Sequence, residues 1–239
     1  MNVHVFIPCF IDQLYPTAGF NTIKVLEKAG CIVTYNPDQT CCGQPAFNAG
    51  YWGESREVCN KFINDFSGAE LIVVPSASCA GFIKNYYSKI YDNASNQKDT
   101  KGFQEKVYEL SDFLVNILKV EDLGAQFEGV ATYHDSCAAL RECKIKTEPR
   151  KLLENVKGLK LIDLQDNETC CGFGGTFAVK FEAISVAMGE QKVQHIVDTK
   201  ADYLISTDLS CLMHIGGVME KMEIPVKSLH LADVLASGY

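Results

Sequence analysis

Cys41-Cys42-Gly43-Gln44-Pro45-Ala46 and Cys170-Cys171-Gly172-Phe173-Gly174-Gly175-Thr176-Phe177 are the two stretches around which the rest of this chain repeats. Between Cys9 and the first pair lie 31 residues, and between that pair and Cys79 another 36. The second copy runs from Cys137 over 32 residues to its pair, then over 39 to Cys211. Eight of the 11 cysteines thus fall into two equivalent sets, each a single, a pair and a single. Packing does not ask for such clustering, because adjacent residues of a strand or helix point in different directions. Four thiolates gathered in one place usually hold a metal, most often an iron–sulfur cluster. The expectation is therefore two metal sites, Cys9, Cys41, Cys42 and Cys79 in one, Cys137, Cys170, Cys171 and Cys211 in the other. Zinc suits four thiolates equally well and stays open as the alternative metal. A strained vicinal disulfide at Cys41-Cys42 is the lesser option.

The repeat extends beyond the cysteines. Val3-His4-Val5-Phe6-Ile7-Pro8-Cys9 aligns with Ala131-Thr132-Tyr133-His134-Asp135-Ser136-Cys137, a β-prone run ending in a set cysteine. Gly30-Cys31-Ile32-Val33 aligns with Gly158-Leu159-Lys160-Leu161, a helix stop and then a second strand. A third strand, within 69–75 and 201–207, heads towards Cys79 or Cys211, and each half closes with a capped helix at Leu110 or Leu231. Between the strands, Phe20, Ile23, Val25, Leu26 and Ala29 suit one helix; Ile184, Val186, Ala187, Val193, Ile196 and Val197 suit a longer one. Strand–helix alternation gives parallel strands joined by right-handed crossovers. The expected class is α/β: two pseudo-symmetric repeats, 1–125 and 126–239, each an open, mostly parallel sheet with flanking helices. Every set cysteine then follows the carboxyl end of a strand, the edge where open α/β sheets gather ligands. The polar stretch 93–99 has no counterpart in the second half and reads as a surface insertion.

Composition narrows the partners. The chain carries 22 basic and 30 acidic residues, net −8, with a pI near 5.2. That excess of negative charge argues against nucleic acid or an anionic membrane surface as a partner. The amino-terminal Met1-Asn2-Val3-His4-Val5 lacks the basic start of an export signal, and no apolar run approaches the ~20 residues of a membrane span. Eleven cysteines without an export signal point to a reducing, cytoplasmic setting.

Other residues extend the sites. Gly43 and Gly172 allow close backbone approach, with amide N–H groups aimed at cluster sulfur, and Gly174-Gly175 extends that loop in the second half. Plain turn formation explains the same glycines, and the two readings are compatible. His134 and His214 flank the second set and are candidates for a donor to the cluster or a fifth ligand, against ordinary packed histidine. Cys31 and Cys59 have no partner in the other half and read as core residues; Cys143 likewise has no counterpart. No catalytic triad or nucleotide fingerprint is present.

At these two Cys-Cys-Gly stretches, and at Ser210-Cys211-Leu212-Met213-His214 and His230-Leu231-Ala232-Asp233, the chain resembles the lactate-utilisation protein A family, built of two cysteine-rich domains. The resemblance covers essentially the whole chain. It implies an iron–sulfur electron-transfer subunit, inactive alone, in a cytoplasmic three-protein system that oxidises L-lactate to pyruvate. The partners it implies are a ferredoxin-like iron–sulfur protein and a third subunit. More distantly the chain is similar to the cysteine-rich subunit of heterodisulfide reductase. There the last cysteine of each set belongs to a C-x-x-C, whereas here Phe82 follows Cys79 and His214 follows Cys211. Four thiolates per half fit one [4Fe–4S] cluster in each. A self-contained oxidoreductase with a substrate-binding cluster and a zinc-stabilised partner-binding module are the alternative functions.

Overall fold

A computed structural model describes residues 1–91 and 100–239 of the chain, so the expected surface insertion at 93–99 lies outside the described residues. Two four-stranded, wholly parallel sheets make up the fold. In the first, β1 (Asn2–Val5), β2 (Ile32–Tyr35), β3 (Ile72–Val74) and β4 (Val107–Glu109) lie in the order β2-β1-β3-β4. In the second, β5 (Gln126–Tyr133), β6 (Lys157–Ile162), β7 (Tyr203–Ser206) and β8 (Lys227–His230) lie in the order β6-β5-β7-β8. The α/β class and the doubled parallel architecture are those the sequence leads one to expect. Ile72, Val73 and Val74 are buried on both faces of their sheet, which is why β3 is a continuous apolar run with no alternation. The outermost strands β4 and β8 are additions to the three expected in each half.

Helices fill the crossovers. The first half carries α1 (Cys9–Leu14), α2 (Pro16–Lys28), α3 (Gln44–Ala49), α4 (Trp52–Asp65), α5 (Ala77–Ile90) and α6 (Leu110–Asp112). The last continues into a π-helical turn, Phe113–Ile117. A second π turn, Ala139–Cys143, opens the second half, followed by α7 (Glu148–Glu154), α8 (Thr176–Lys180), α9 (Glu182–Thr199), α10 (Leu209–Lys221) and α11 (Leu231–Leu235). Two helical faces differ from the apolar stripes expected. In α2 the buried side is Ala18, Thr22, Val25 and Leu26, and Phe20 is exposed. In α9 it is Ser185, Gly189, Lys192, Val193 and Ile196, with Ile184 and Val197 turned outward. A polar inner face on α9 has a reason: it covers the second cysteine loop.

The halves interlock. The closing helix of each docks on the first long helix of the other: Asn21 of α2 donates to Asp233 of α11 (2.8 Å), and Asn116, just past α6, donates to Glu148 of α7 (3.0 Å). One hydrophobic cluster runs through both, joining Val3, Val25 and Leu26 to Leu152, Leu231 and Leu235. Elsewhere α5 and the second π turn meet so closely that a Cβ on Gly81 would stand 2.5 Å from Glu142 Cβ. Asn85 and Tyr86 of α5 donate to that same Glu142.

The closing caps are related by the repeat but chemically different. The buried carboxylate of Glu109 accepts the Ser111 amide at 2.7 Å and the Ser111 hydroxyl, while His230 Nδ1 accepts the Ala232 amide at 3.2 Å. Burial outweighs those hydrogen bonds and pushes the Glu109 carboxyl up from 4.5 to about 7. A carboxyl raised above its unfolded value contributes stability that is fully present below the unfolded pKa and is lost as the pH rises through the folded one. The chain is therefore expected to lose on the order of 2 kcal/mol of stability between about pH 4.5 and pH 7. Glu109→Gln, which keeps an acceptor and cannot ionise, removes that slope. Chemical denaturation across this range measures it, and equal slopes for parent and variant would refute the assignment.

Candidate metal centre

Because all strands of a sheet run the same way, their carboxyl ends share one edge, and each set cysteine lies there. Cys9 opens α1 just after β1, Cys79 sits in the first turn of α5 after β3, and Cys41-Cys42 fills the loop between β2 and α3. Cys137, Cys211 and Cys170-Cys171 hold the matching places after β5, after β7 and before α8. The loops from the two halves face each other. All eight cysteines line a single, mainly apolar cavity of about 810 Å³ between them.

Within each set the sulfurs touch in a chain. Cys42 Sγ lies 3.2 Å from Cys79 Sγ, and Cys41 accepts from Cys42 and Cys9. Cys170 accepts from Cys137 and Cys171, and Cys171 in turn pairs with Cys211. Receiving S–H groups from two neighbours holds the Cys41 and Cys170 thiols well below the usual thiol range. Their donors Cys9, Cys42, Cys137 and Cys171 are pushed up by that pairing and by burial. Negative charge thus already has a seat in each set. Backbone amides add to it: Gly43 N–H donates to Cys41 Sγ and Gly172 N–H to Cys170 Sγ, both at 3.4 Å, and Phe173 N–H to Cys171 Sγ at 3.5 Å.

The glycines are required by geometry. Gly43 and Gly172 have φ of +90° and +96°, a region L side chains avoid. Each is pinned by a serine of the second helix downstream, Ser55 Oγ of α4 donating to the Gly43 carbonyl (3.0 Å) and Ser185 Oγ of α9 to that of Gly172 (2.8 Å). Gly174 and Gly175 also take positive φ and carry the loop along the cavity wall into α8.

Other expected residues separate cleanly. Cys31 is a core residue; Cys59 is fully buried behind the first loop, its thiol pushed up to about 12 by burial. Cys143 packs between the halves, donating to the Ala77 carbonyl. His214 Nε2 lies 3.2 Å from the Ser185 carbonyl, so that ring nitrogen braces the loop. His134 is different: it is fully buried, neither ring nitrogen has a hydrogen-bond partner, and its nitrogen, Cys171 Sγ and Cys211 Sγ all lie within 4.8 Å of one another. Burial, helped by Lys192, lowers its pKa to about 3, so the ring is neutral.

Two features lie beyond the sequence reading. Lys192 is buried and donates to the Asp166 carbonyl (2.6 Å) beside the second loop; a lysine on the inner stripe of α9 is the available signal. Asp208, also buried, accepts from Ser78 N–H (3.0 Å) and from the hydroxyls of Ser76, Ser78 and Ser136. It ties the turns before Cys79, Cys137 and Cys211 together. Nothing local marks it, because its partners come from two distant stretches, Ser76–Ser78 and Ser136.

The donors fit a metal–sulfur group. All eleven cysteines are free, eight converge in fours, amides point at sulfur, and a buried imidazole beside the second set lacks any protein partner. Gly172→Ala is expected to damage the second set more than Gly43→Ala damages the first. An added Cβ meets the Ser185 carbonyl at 2.6 Å but the Ser55 carbonyl at 3.2 Å. On top of the ~1–3 kcal/mol cost of an unfavourable φ, Gly172→Ala must push backbone further aside than Gly43→Ala. Thermal unfolding and metal content of the two variants check this; equal losses would show that the loops are equally tolerant.

Comparison with known proteins agrees with this geometry. A family of cysteine-rich domains, CCG, matches residues 3–84 and again 131–216. Lactate utilization protein A of Geobacillus sp. (strain WCH70) is 45% identical over 237 residues, covering 99% of this chain and all of that protein. The protein of the same name from Shouchella clausii is 46% identical over 237 residues, 99% of each chain. Among solved structures, a hypothetical protein from Helicobacter pylori superposes with a TM-score of 0.62 at 14% identity, covering all of this chain and 49% of that one, which speaks for the fold alone. By its two cysteine-rich domains and its full-length similarity to these relatives, the chain belongs to the lactate utilization protein A family.

Proposed function

We propose that this chain is the iron–sulfur electron-transfer subunit of a cytoplasmic system that oxidises L-lactate to pyruvate. One observation carries the reading: two sets of four contiguous thiols line one cavity, in a chain 45% identical to a protein named lactate utilization protein A. The units 1–125 and 126–239 each hold one [4Fe–4S] cluster, on Cys9, Cys41, Cys42 and Cys79 and on Cys137, Cys170, Cys171 and Cys211. When bound, such a cluster supplies one-electron oxidation and reduction. The chain's own part is to hold the sulfurs, to direct the Gly43, Gly172 and Phe173 amides at them, and to keep water away with an apolar wall.

Oxidising lactate to pyruvate releases two electrons and two protons. Two one-electron sites in one chain match that number, and a common cavity keeps them close. Removal of hydrogen from the substrate carbon falls to the partners, a ferredoxin-like iron–sulfur protein and a third subunit. Among the described residues no helix is long and apolar enough to cross a membrane.

Anaerobically purified protein is expected to show broad absorption near ~400 nm that bleaches with dithionite, and no lactate oxidation by itself. Cys171→Ser should lower iron per chain by about half and abolish growth on lactate, while Cys59→Ser does neither. Zinc in place of iron in the parent, or unchanged iron in Cys171→Ser, would overturn the reading.

A further inference from the structure

The two sulfur sets occupy equivalent backbones, but their walls are not equivalent. Three positions abut the cysteine loop in each half. Directly after β1 and β5, three residues before Cys9 and Cys137, stand Phe6 and His134. In α4 and α9, seven residues after the pinning serines Ser55 and Ser185, stand Phe62 and Lys192. Three residues after Cys79 and Cys211 stand Phe82 and His214. The first half thus has phenylalanine three times where the second has histidine, lysine and histidine.

The correspondence is spatial as well as sequential. Phe6 and Phe62 pack edge to face with ring centroids 4.7 Å apart. In the second half, a His134 ring nitrogen lies within 4.8 Å of the Cys171 and Cys211 sulfurs, and Lys192 donates to the Asp166 carbonyl (2.6 Å) beside the same loop. All but His214 are buried to within 2% exposure. In the first site the Tyr87 hydroxyl donates to the Cys42 carbonyl at 2.8 Å. Asp208 does not distinguish the sites, because its serine donors precede Cys79 in one half and Cys137 in the other.

We propose that His134 and Lys192 hold the second cluster at a higher reduction potential than the first, so that an electron shared between them resides on the second. The proposal rests on the cluster reading above. A reduced cluster carries one more negative charge than an oxidised one, so any donor or cation near its sulfur favours reduction. The unpartnered imidazole of His134 has an N–H to give and, beside Cys171 and Cys211, sulfur to give it to. Lys192 adds a positive charge in a dry wall, where screening is weak. Around the first cluster, Phe6, Phe62 and Phe82 offer neither donor nor charge. Both histidine and lysine act as positioning residues for charge; neither needs to bind iron.

The test is a mediated potentiometric titration of the reconstituted chain, read by electron paramagnetic resonance, after iron and sulfide have been counted. The parent should show two one-electron transitions. Cys42→Ser and Cys171→Ser, each lacking one cluster, assign the higher transition to the second site. His134→Phe, which copies the residue of the first site, should shift only the second cluster. At fixed ambient potential its reduced-to-oxidised ratio should fall about tenfold, ~59 mV for a one-electron couple. Lys192→Met should shift it in the same direction. His134→Gln, keeping an N–H donor, should retain most of the parent value. Should a single-cluster variant not fold, the transition that moves in His134→Phe makes the assignment instead. Coincident transitions in the parent, a lower second cluster, or full iron in His134→Phe with no shift would overturn this inference and leave the cluster reading intact. Absence of iron from the parent would end both.

Discussion

Bringing four sulfurs into one touching chain is the constraint on which the rest of this structure depends. Thiolates repel one another, and a chain has no reason to gather them unless something positive sits among them. The parallel sheet solves the delivery. Strands that all run one way end at one edge, so three connections from distant parts of each half release their cysteines within a few ångströms. An antiparallel sheet would send alternate connections to the opposite edge and break the set. The Cys-Cys-Gly turn solves the remaining problem of placing two sulfurs from one loop. It does so with a left-handed glycine whose amide returns to the sulfur two residues earlier.

A second constraint follows from facing the two edges across one cavity. Eight cysteine sulfurs and a buried carboxylate sit where a soluble protein would otherwise place apolar side chains, so the adhesion between the halves must come from elsewhere. It comes from exchange: each closing helix is seated on the first long helix of the other half, and one core runs through both. Asp208 completes the arrangement at the cavity. Its hydrogen bonds to Ser76, Ser78 and Ser136 fix the turns that carry Cys79, Cys137 and Cys211 to a single point. The cost of burying that carboxylate, which pushes its pKa up, is offset by serving both halves at once.

How much of this is legible in the sequence follows from the range of each interaction. The doubled cysteine spacing, the strand runs ending in cysteine and the glycines after each pair are local signals, and the parallel architecture follows from them. In α2 and α9 apolar periodicity finds only part of the inner face, Val25 and Leu26 in one and Val193 and Ile196 in the other. Phe20 and Ile184 are apolar and exposed, Thr22, Ser185 and Lys192 are polar and buried, and the cause in α9 is the cysteine loop it covers. The strands β4 and β8 carry no period of their own and exist by pairing with β3 and β7. Asp208 is invisible to any local reading, since its donors come from two distant stretches brought to it by folding. The histidines show the same limit. Both flank the second set in sequence, yet only the packing of α9 decides that His214 is committed to Ser185 while His134 is left facing sulfur.

Comparing the two halves separates what holds the sites from what tunes them. Positions that shape backbone are the same in both: the vicinal cysteines, Gly43 and Gly172, Ser55 and Ser185, and the same strand order. Positions that present chemistry to the sulfurs differ, phenylalanine against histidine or lysine. Random drift of a duplicated fold gives no reason for that division, because a buried lysine and an unpartnered buried imidazole each cost stability in an apolar wall. Phe6 and Phe62 show that the fold accepts aromatic rings at those places. Keeping the costly residues in one half only is consistent with two sites that share a scaffold and differ in the charge they are built to carry.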